Sequence, residues 1–167
     1  MIRAHQHAAG AVGSKGEQEA LGYSKGGFST KIHLRCDGNG KPVTFLITVG
    51  ERNESVMLEQ LMEQGEVKQA GRGRPRLRPQ RVAGDKGYTG HPIRSYLRRR
   101  GIGAVIPRRV TESRRGTRVD RQAYRQRNRV ERTINRFKQF RRIATRYEKR
   151  AVNYLAMLTI AAILLWL

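Results

Sequence analysis

Four side chains late in the chain, Tyr124, Arg127, Glu131 and Lys138, follow one another at intervals of three, four and seven residues. They lie in a basic stretch nearly free of Gly and Pro, with apolar Ala123, Val130, Ile134 and Phe137 at helical spacing. The pattern predicts one long amphipathic helix from about Asp120 to Tyr147. At 3.6 residues per turn the four side chains share an arc of roughly 60° beside the apolar stripe. Arg125, Arg132 and Arg136 point away from both. A carboxylate held at the edge of a buried stripe, with a tyrosine and two cations alongside, is unusual for a face built only for solubility. The competing reading is an ordinary charged face, where Glu and Lys or Arg at helical spacings simply pair. A second carboxylate, Asp85, ends the run Arg81-Val-Ala-Gly, which reads as a short buried strand leading into a loop, the position at which α/β folds place ligand-binding groups. An Asp beside Gly also forms turns. His5 and His7 could share a metal, but no Cys or third His lies near them in sequence.

The remaining chain must position these groups. Residues 1–30 are rich in Gly, Ala and Ser; Arg3-Ala-His5-Gln-His7 reads as the end of a strand and the remainder as loop. Lys31–Cys36 alternates polar and apolar, Asp37-Gly-Asn-Gly40 turns, and Pro42–Val49 runs on, which predicts a β-hairpin. Asn53 caps a short helix with Val56, Leu58, Leu61 and Met62 turned inward. Pro92 opens a helix burying Ile93, Tyr96 and Leu97, and Gly103–Pro107 is a short strand. An Arg-rich loop, 108–118, leads into the long helix. The order hairpin, helix, strand, helix, strand, helix predicts an α/β layered domain.

Composition narrows the partner. Thirty-five Lys and Arg against 13 Asp and Glu give a net charge of +22, and the pI is near 11.5. Because the cations are spread through 72–81, 94–100, 108–118 and 121–150, the charge belongs to the whole surface, and nucleic acid is the expected partner. A length of 167 residues suits a single domain. One cysteine, Cys36, allows no internal disulfide and fits a reducing compartment. The N-terminus has no signal-peptide core. Ala151–Leu167 is apolar but interrupted by Asn153, Tyr154 and Thr159, and reads as a helix buried against a sheet rather than a membrane anchor. The expected location is the bacterial cytoplasm, in association with the nucleoid.

Together these motifs resemble the catalytic core of bacterial insertion-sequence transposases of the DDE type, in the group marked by Y-x2-R-x3-E-x6-K. Tyr124, Arg127, Glu131 and Lys138 meet every spacing, and Asp85-Lys-Gly-Tyr88 resembles the second-aspartate motif, 131 − 85 = 46 positions before the glutamate. Gly26–His33 and Arg141–Tyr147 are also similar to family stretches, so the resemblance spans essentially the whole chain. It implies a ribonuclease-H-like fold, a mixed sheet flanked by helices, with two aspartates and a glutamate. It further implies Mg²⁺, or Mn²⁺, on Asp85 and Glu131, cutting and joining DNA by in-line displacement at phosphorus. Arg127 and Lys138 would neutralise phosphate, and Tyr124 would position DNA or a water.

One element of the family pattern is not matched. The first aspartate should stand in D-S/T-x-x-x-R-A-H, of which only Arg3-Ala-His5 is present, so the strand that carries it is expected to be cut short. Asp37 belongs to the hairpin turn and is no substitute. The chain is therefore expected to be a catalytic fragment, inactive alone, working on transposon ends and target DNA as a homodimer or with an upstream transposase segment. The alternative is a non-enzymatic basic DNA-binding protein. Gly71-Arg72-Gly-Arg74-Pro-Arg76 resembles the AT-hook core, which lays arginines into narrow minor grooves; a basic Pro/Gly loop explains the same residues. A third reading is a remnant without present activity.

Overall fold

The computed structural model describes residues 1–167 apart from 10–17, 67–71, 75–77 and 110–118. In chain order the elements are β1 (Ile2–Ala4), α1 (Gln6–Ala9), β2 (Gly22–Ser24), β3 (Gly27–Cys36), β4 (Pro42–Val49), α2 (Leu58–Glu63), β5 (Arg81–Ala83), α3 (His91–Arg99), β6 (Gly103–Val105), α4 (Arg121–Arg125), α5 (Asn128–Gln139), α6 (Arg141–Ala144), β7 (Thr145–Arg146) and α7 (Ala151–Trp166). Short 3₁₀ turns cover Glu54–Met57 and Lys86–Tyr88. These elements form two compact units, one made of 1–52 with 130–167 and the other of 53–129. The architecture is mixed α/β.

The first unit is built on β3. Its start pairs antiparallel with β1 (Ile2↔Thr30) and with β2 (Tyr23↔Phe28), and its remainder pairs with β4 (Ile32↔Ile47, Leu34↔Phe45). Parallel pairing of β7 with β1 makes the sheet mixed. The predicted hairpin is present, and its strand reaches back to Gly27. Its turn closes because Asp37 Oδ1 accepts the Asn39 and Lys41 N–H groups, each at 2.8 Å, and Gly40 adopts φ +84. Ile32, Leu34, Phe45 and Ile47 pack on a cluster containing Phe137, Ile143, Tyr154 and Leu158. Helix α7, expected to be buried against a sheet, supplies much of that core with Tyr154, Leu158, Ala161 and Leu165. Its end is fixed by Lys41 Nζ, which donates to the Leu165 and Trp166 carbonyls, and by Trp166 Nε1, which donates to Pro42 O at 2.7 Å. Its outer residues Val152, Ile160, Ile163 and Leu164 remain exposed. Among the described residues no helix is long and apolar enough to cross a membrane.

The second unit is a βαβ arrangement: β5 and β6 pair in parallel, which requires a crossover, and α3 provides it. Ile93, Tyr96 and Leu97 are buried as predicted, with Leu58, Met62, Ile102 and Ile106. Asn53 caps its turn by accepting the Ser55 N–H at 3.0 Å. Val56, expected inside, is exposed because its turn is 3₁₀ rather than α, which changes the azimuth of each side chain.

Three further expectations change. Residues 1–30 hold strands and a short helix where mostly loop is expected. The strand Arg81–Ala83 is shallow, with only Val82 partly buried. The single helix from Asp120 to Tyr147 is three helices and a strand. After Arg125 the hydrogen bonds shorten, Gln126 N–H to Ala123 O and Arg127 N–H to Tyr124 O, so that α4 closes before α5 begins. In α5 the buried residues are Thr133 and Phe137, while Ile134 is exposed. The Thr133 hydroxyl donates to Gly40 O at 2.5 Å, consistent with the inward face of α5 carrying Thr133 and Phe137 and not Ile134.

Candidate functional site

Asp85 stands where the sequence places it, directly beyond β5. Its backbone is extended and its side chain caps the following turn, Oδ1 accepting the Gly87 N–H at 2.8 Å. The cap holds an exposed carboxylate in one orientation and leaves Oδ2 outside that bond. Glu54, which the sequence analysis passes over, belongs to the same neighbourhood: a Cβ built on Gly87 would lie 2.9 Å from Asp85 Oδ1 and 3.7 Å from Glu54 Oε2. The half-buried Tyr88 phenol registers both. Burial first, then the charges of Asp85 and Glu54, push its pKa well above the usual phenol range. The only local sign of Glu54 is its place directly after the Asn53 cap, a feature of any helix start.

The four-residue signature is divided between elements. Tyr124 lies on α4, whose start is capped by Asp120 accepting the Ala123 N–H at 3.0 Å. Arg127 falls in the tight turn after α4 and stacks on the Tyr124 ring, its guanidinium carbon 5.3 Å from the centroid. Glu131 and Lys138 are both on α5, both exposed, and two helical turns apart on one face. Tyr124 and Arg127 therefore form one local pair, and Glu131 and Lys138 share another helix, where one continuous helix is expected. Asp85 belongs to the 53–129 unit and Glu131 to the other. Arg72 and Arg74 are exposed, whereas Arg76 and most of the loop 108–118 lie outside the described residues. Among the described residues no three His, Cys, Asp or Glu side chains gather into a metal cage.

Three further acids have structural roles. Asp37 is held in the hairpin turn, as expected. Glu19 accepts the Ala151 N–H at the start of α7, at 2.5 Å. Glu148 is nearly buried and receives Arg142 Nη2 at 2.6 Å.

A chain with this fold and these acid motifs falls in a known class. It belongs to the DDE transposase family: residues 1–166 match the family described as the transposase DDE domain. It is similar to a protein of Burkholderia cepacia named as a transposase for insertion sequence element IS402, with 34% identity over 136 residues, or 81% of this chain. The match covers 62% of that relative, so the chain spans about three-fifths of its length. No solved structure matches. The identity as an insertion-sequence DDE transposase thus agrees with the resemblance carried by the motifs.

Proposed function

We propose that this chain carries the second aspartate and the glutamate of a ribonuclease-H-like transposase core, and that it acts on duplex DNA in strand cleavage and strand transfer. The observation that carries the reading is Asp85, an exposed carboxylate oriented by a backbone N–H at the end of a parallel strand within a family-matched chain. Asp85 and Glu131 offer hard oxygen donors, which fit Mg²⁺ or Mn²⁺, cations that need few protein ligands and retain water. When bound, the metal supplies Lewis-acid stabilisation of charge at phosphorus. Arg127 and Lys138 hold the phosphate backbone near the cut, and Tyr124, stacked by Arg127, orients the strand. The motifs account for two of the family's three acids, so the 167 residues alone bind DNA without turning it over. Binding as a homodimer, or with an upstream transposase segment, completes the assembly on transposon ends and target DNA in the nucleoid.

The test is a crystal structure with Mn²⁺, supported by metal titration of Asp85→Asn and Glu131→Gln. Each variant is expected to weaken Mn²⁺ binding. Carboxyl groups separated by more than about 10 Å with the metal present, beyond any two-metal arrangement, overturn the assignment.

A further inference from the structure

The hairpin formed by β2 and the start of β3 carries a feature that neither the core nor the acid motifs use. Tyr23 is 75% exposed, although it is a large aromatic residue on a paired strand. Its cross-strand partner is Phe28, and the rings meet edge to face, centroids 4.6 Å apart at 82°. A pair of this kind stabilises a hairpin, but that does not require the phenol to be left in water. The tip beyond the pair is slender. Ser24, Lys25, Gly26 and Gly27 make the turn, with Gly27 at φ +94 and no atom within 4 Å of a Cβ placed there. Lys25 is exposed, and the exposed Arg3 side chain runs along the ribbon to within 3.9 Å of a Cβ placed on Gly26.

The base of the same hairpin is fixed. Ser29 is fully buried, and its hydroxyl donates to Ser24 Oγ at 3.0 Å. Gly22 is buried against the Glu51 carboxylate, and Ser29 pairs with both Arg3 and Gly22. The strand β3 then continues without a break into the core sheet. A two-stranded ribbon, rigid at its root, is therefore presented with an aromatic ring and two cations at its tip.

We infer that this hairpin is a DNA contact in which Tyr23 wedges against a base step of the duplex while Arg3 and Lys25 hold the adjoining phosphates. The chemistry is complementary: base faces accept aromatic side chains without sequence preference, the major groove admits a two-stranded ribbon, and inserted rings unstack base steps. The surrounding charge favours a polyanion over an uncharged protein surface. The inference rests on the DNA-binding reading above and adds the element that grips the duplex.

The experiment uses the full chain and a duplex of about 20 base pairs, a length that more than covers the groove contacts of one hairpin, titrated by fluorescence anisotropy at several salt concentrations. Tyr23→Ala is expected to weaken binding about 5- to 100-fold with the salt slope unchanged, because stacking and not charge is lost. Tyr23→Phe should bind as the parent does. Lys25→Ala should flatten the slope by about 0.9. Thymines made permanganate-sensitive by the parent should be protected again with Tyr23→Ala. Equal affinity and equal permanganate patterns for the parent and Tyr23→Ala overturn the inference while leaving DNA binding intact. A parent chain that fails to bind duplex at all overturns the functional reading instead. Matching thermal melts of the parent and Tyr23→Ala separate a lost contact from unfolding.

Discussion

At the scale of single residues, the most consequential side chain in the first unit lies within the segment predicted as one long basic helix. Arg146 is fully buried. Its Nη1 donates to Thr30 Oγ1 at 2.7 Å and to Ala20 O at 3.2 Å, and its Nε donates to Glu148 O at 2.9 Å. Nη2 reaches Lys149 O at 3.1 Å, and the guanidinium lies over the Tyr154 ring. Ala20, held at φ +52, turns its carbonyl toward both Arg146 and Thr30, so one cation ties β7, β3 and the Ala20 turn together. Burial lowers the Arg146 pKa from its ordinary value, while Tyr154, Glu19 and Glu148 act the other way. Arg146→Met is expected to cost about 3–5 kcal/mol, since several buried carbonyls lose their donor at once; urea denaturation at constant m-value measures it. Cys36 gives a prediction with a pH dependence. Burial, then the neighbouring Asp37 charge, push its thiol from 9.0 to about 12, against a smaller opposite effect from the Thr133 hydroxyl. A raised folded pKa means the unfolded chain loses its proton first. The contribution to stability is therefore complete below pH 9 and declines between pH 9 and 12. The melting temperature should fall over that window, and Cys36→Ser should fall less. An identical decline in Cys36→Ser would assign the effect to other groups, Tyr154 and Tyr88 being raised in the same direction.

At the scale of elements, the periodic segments were legible and the basic ones were not. The β3–β4 hairpin and α3 with Ile93, Tyr96 and Leu97 follow directly from apolar spacing, turn glycines and Pro92, and α7 follows from its apolar run. The segment from Asp120 to Tyr147 misled because nothing local marks its breaks: no Gly or Pro stands between Arg121 and Gln139. What sets α5 is tertiary, the Thr133 bond to Gly40 O together with buried Phe137, and a polar residue in that role carries no signal in hydrophobic periodicity. The site follows the same division. The placement of Asp85 at a strand end was readable because strand and turn are local features, whereas the nearness of Glu54 enters only through the fold. The Gly40 turn offers a test at this scale. Its φ of +84 disfavours any side chain, and its carbonyl anchors α5. Gly40→Ala should destabilise the chain by about 1–2 kcal/mol, read as a shift in urea midpoint. A midpoint equal to the parent's would show that the turn tolerates a Cβ at this position.

At the scale of the whole molecule, charge and chemistry separate. The +22 charge is spread over the sequence, so affinity for duplex should arise from many weak phosphate contacts rather than from one motif. Each neutralised phosphate contributes about −0.9 to the slope of log K against log salt, and six to ten contacts would give a slope of about −5 to −9. Against that background, losing Arg74 from the exposed 72–74 segment should remove one contact and weaken A·T-rich and G·C-rich duplexes equally, unless the segment reads the minor groove as an AT-hook does. Preferential loss on A·T-rich DNA would support the hook. Catalysis should behave differently, because it depends on few groups held in one geometry. On the proposed reading, in which Asp85 and Glu131 are two of three metal-holding acids, a site without the third would lose the activation of its nucleophile and the stabilisation of its leaving group together. The 167-residue chain is therefore expected to bind plasmid DNA tightly yet leave it uncut in Mg²⁺ or Mn²⁺. Supplying a strand that ends in Asp-Ser or Asp-Thr ahead of Arg3-Ala4-His5 should restore nicking, and Glu131→Gln in that longer protein should remove it. Nicking by the 167 residues alone, lost in Asp85→Asn, would mean that another acid of this chain serves as the first carboxylate, and Glu54, beside Asp85, would be the first to replace.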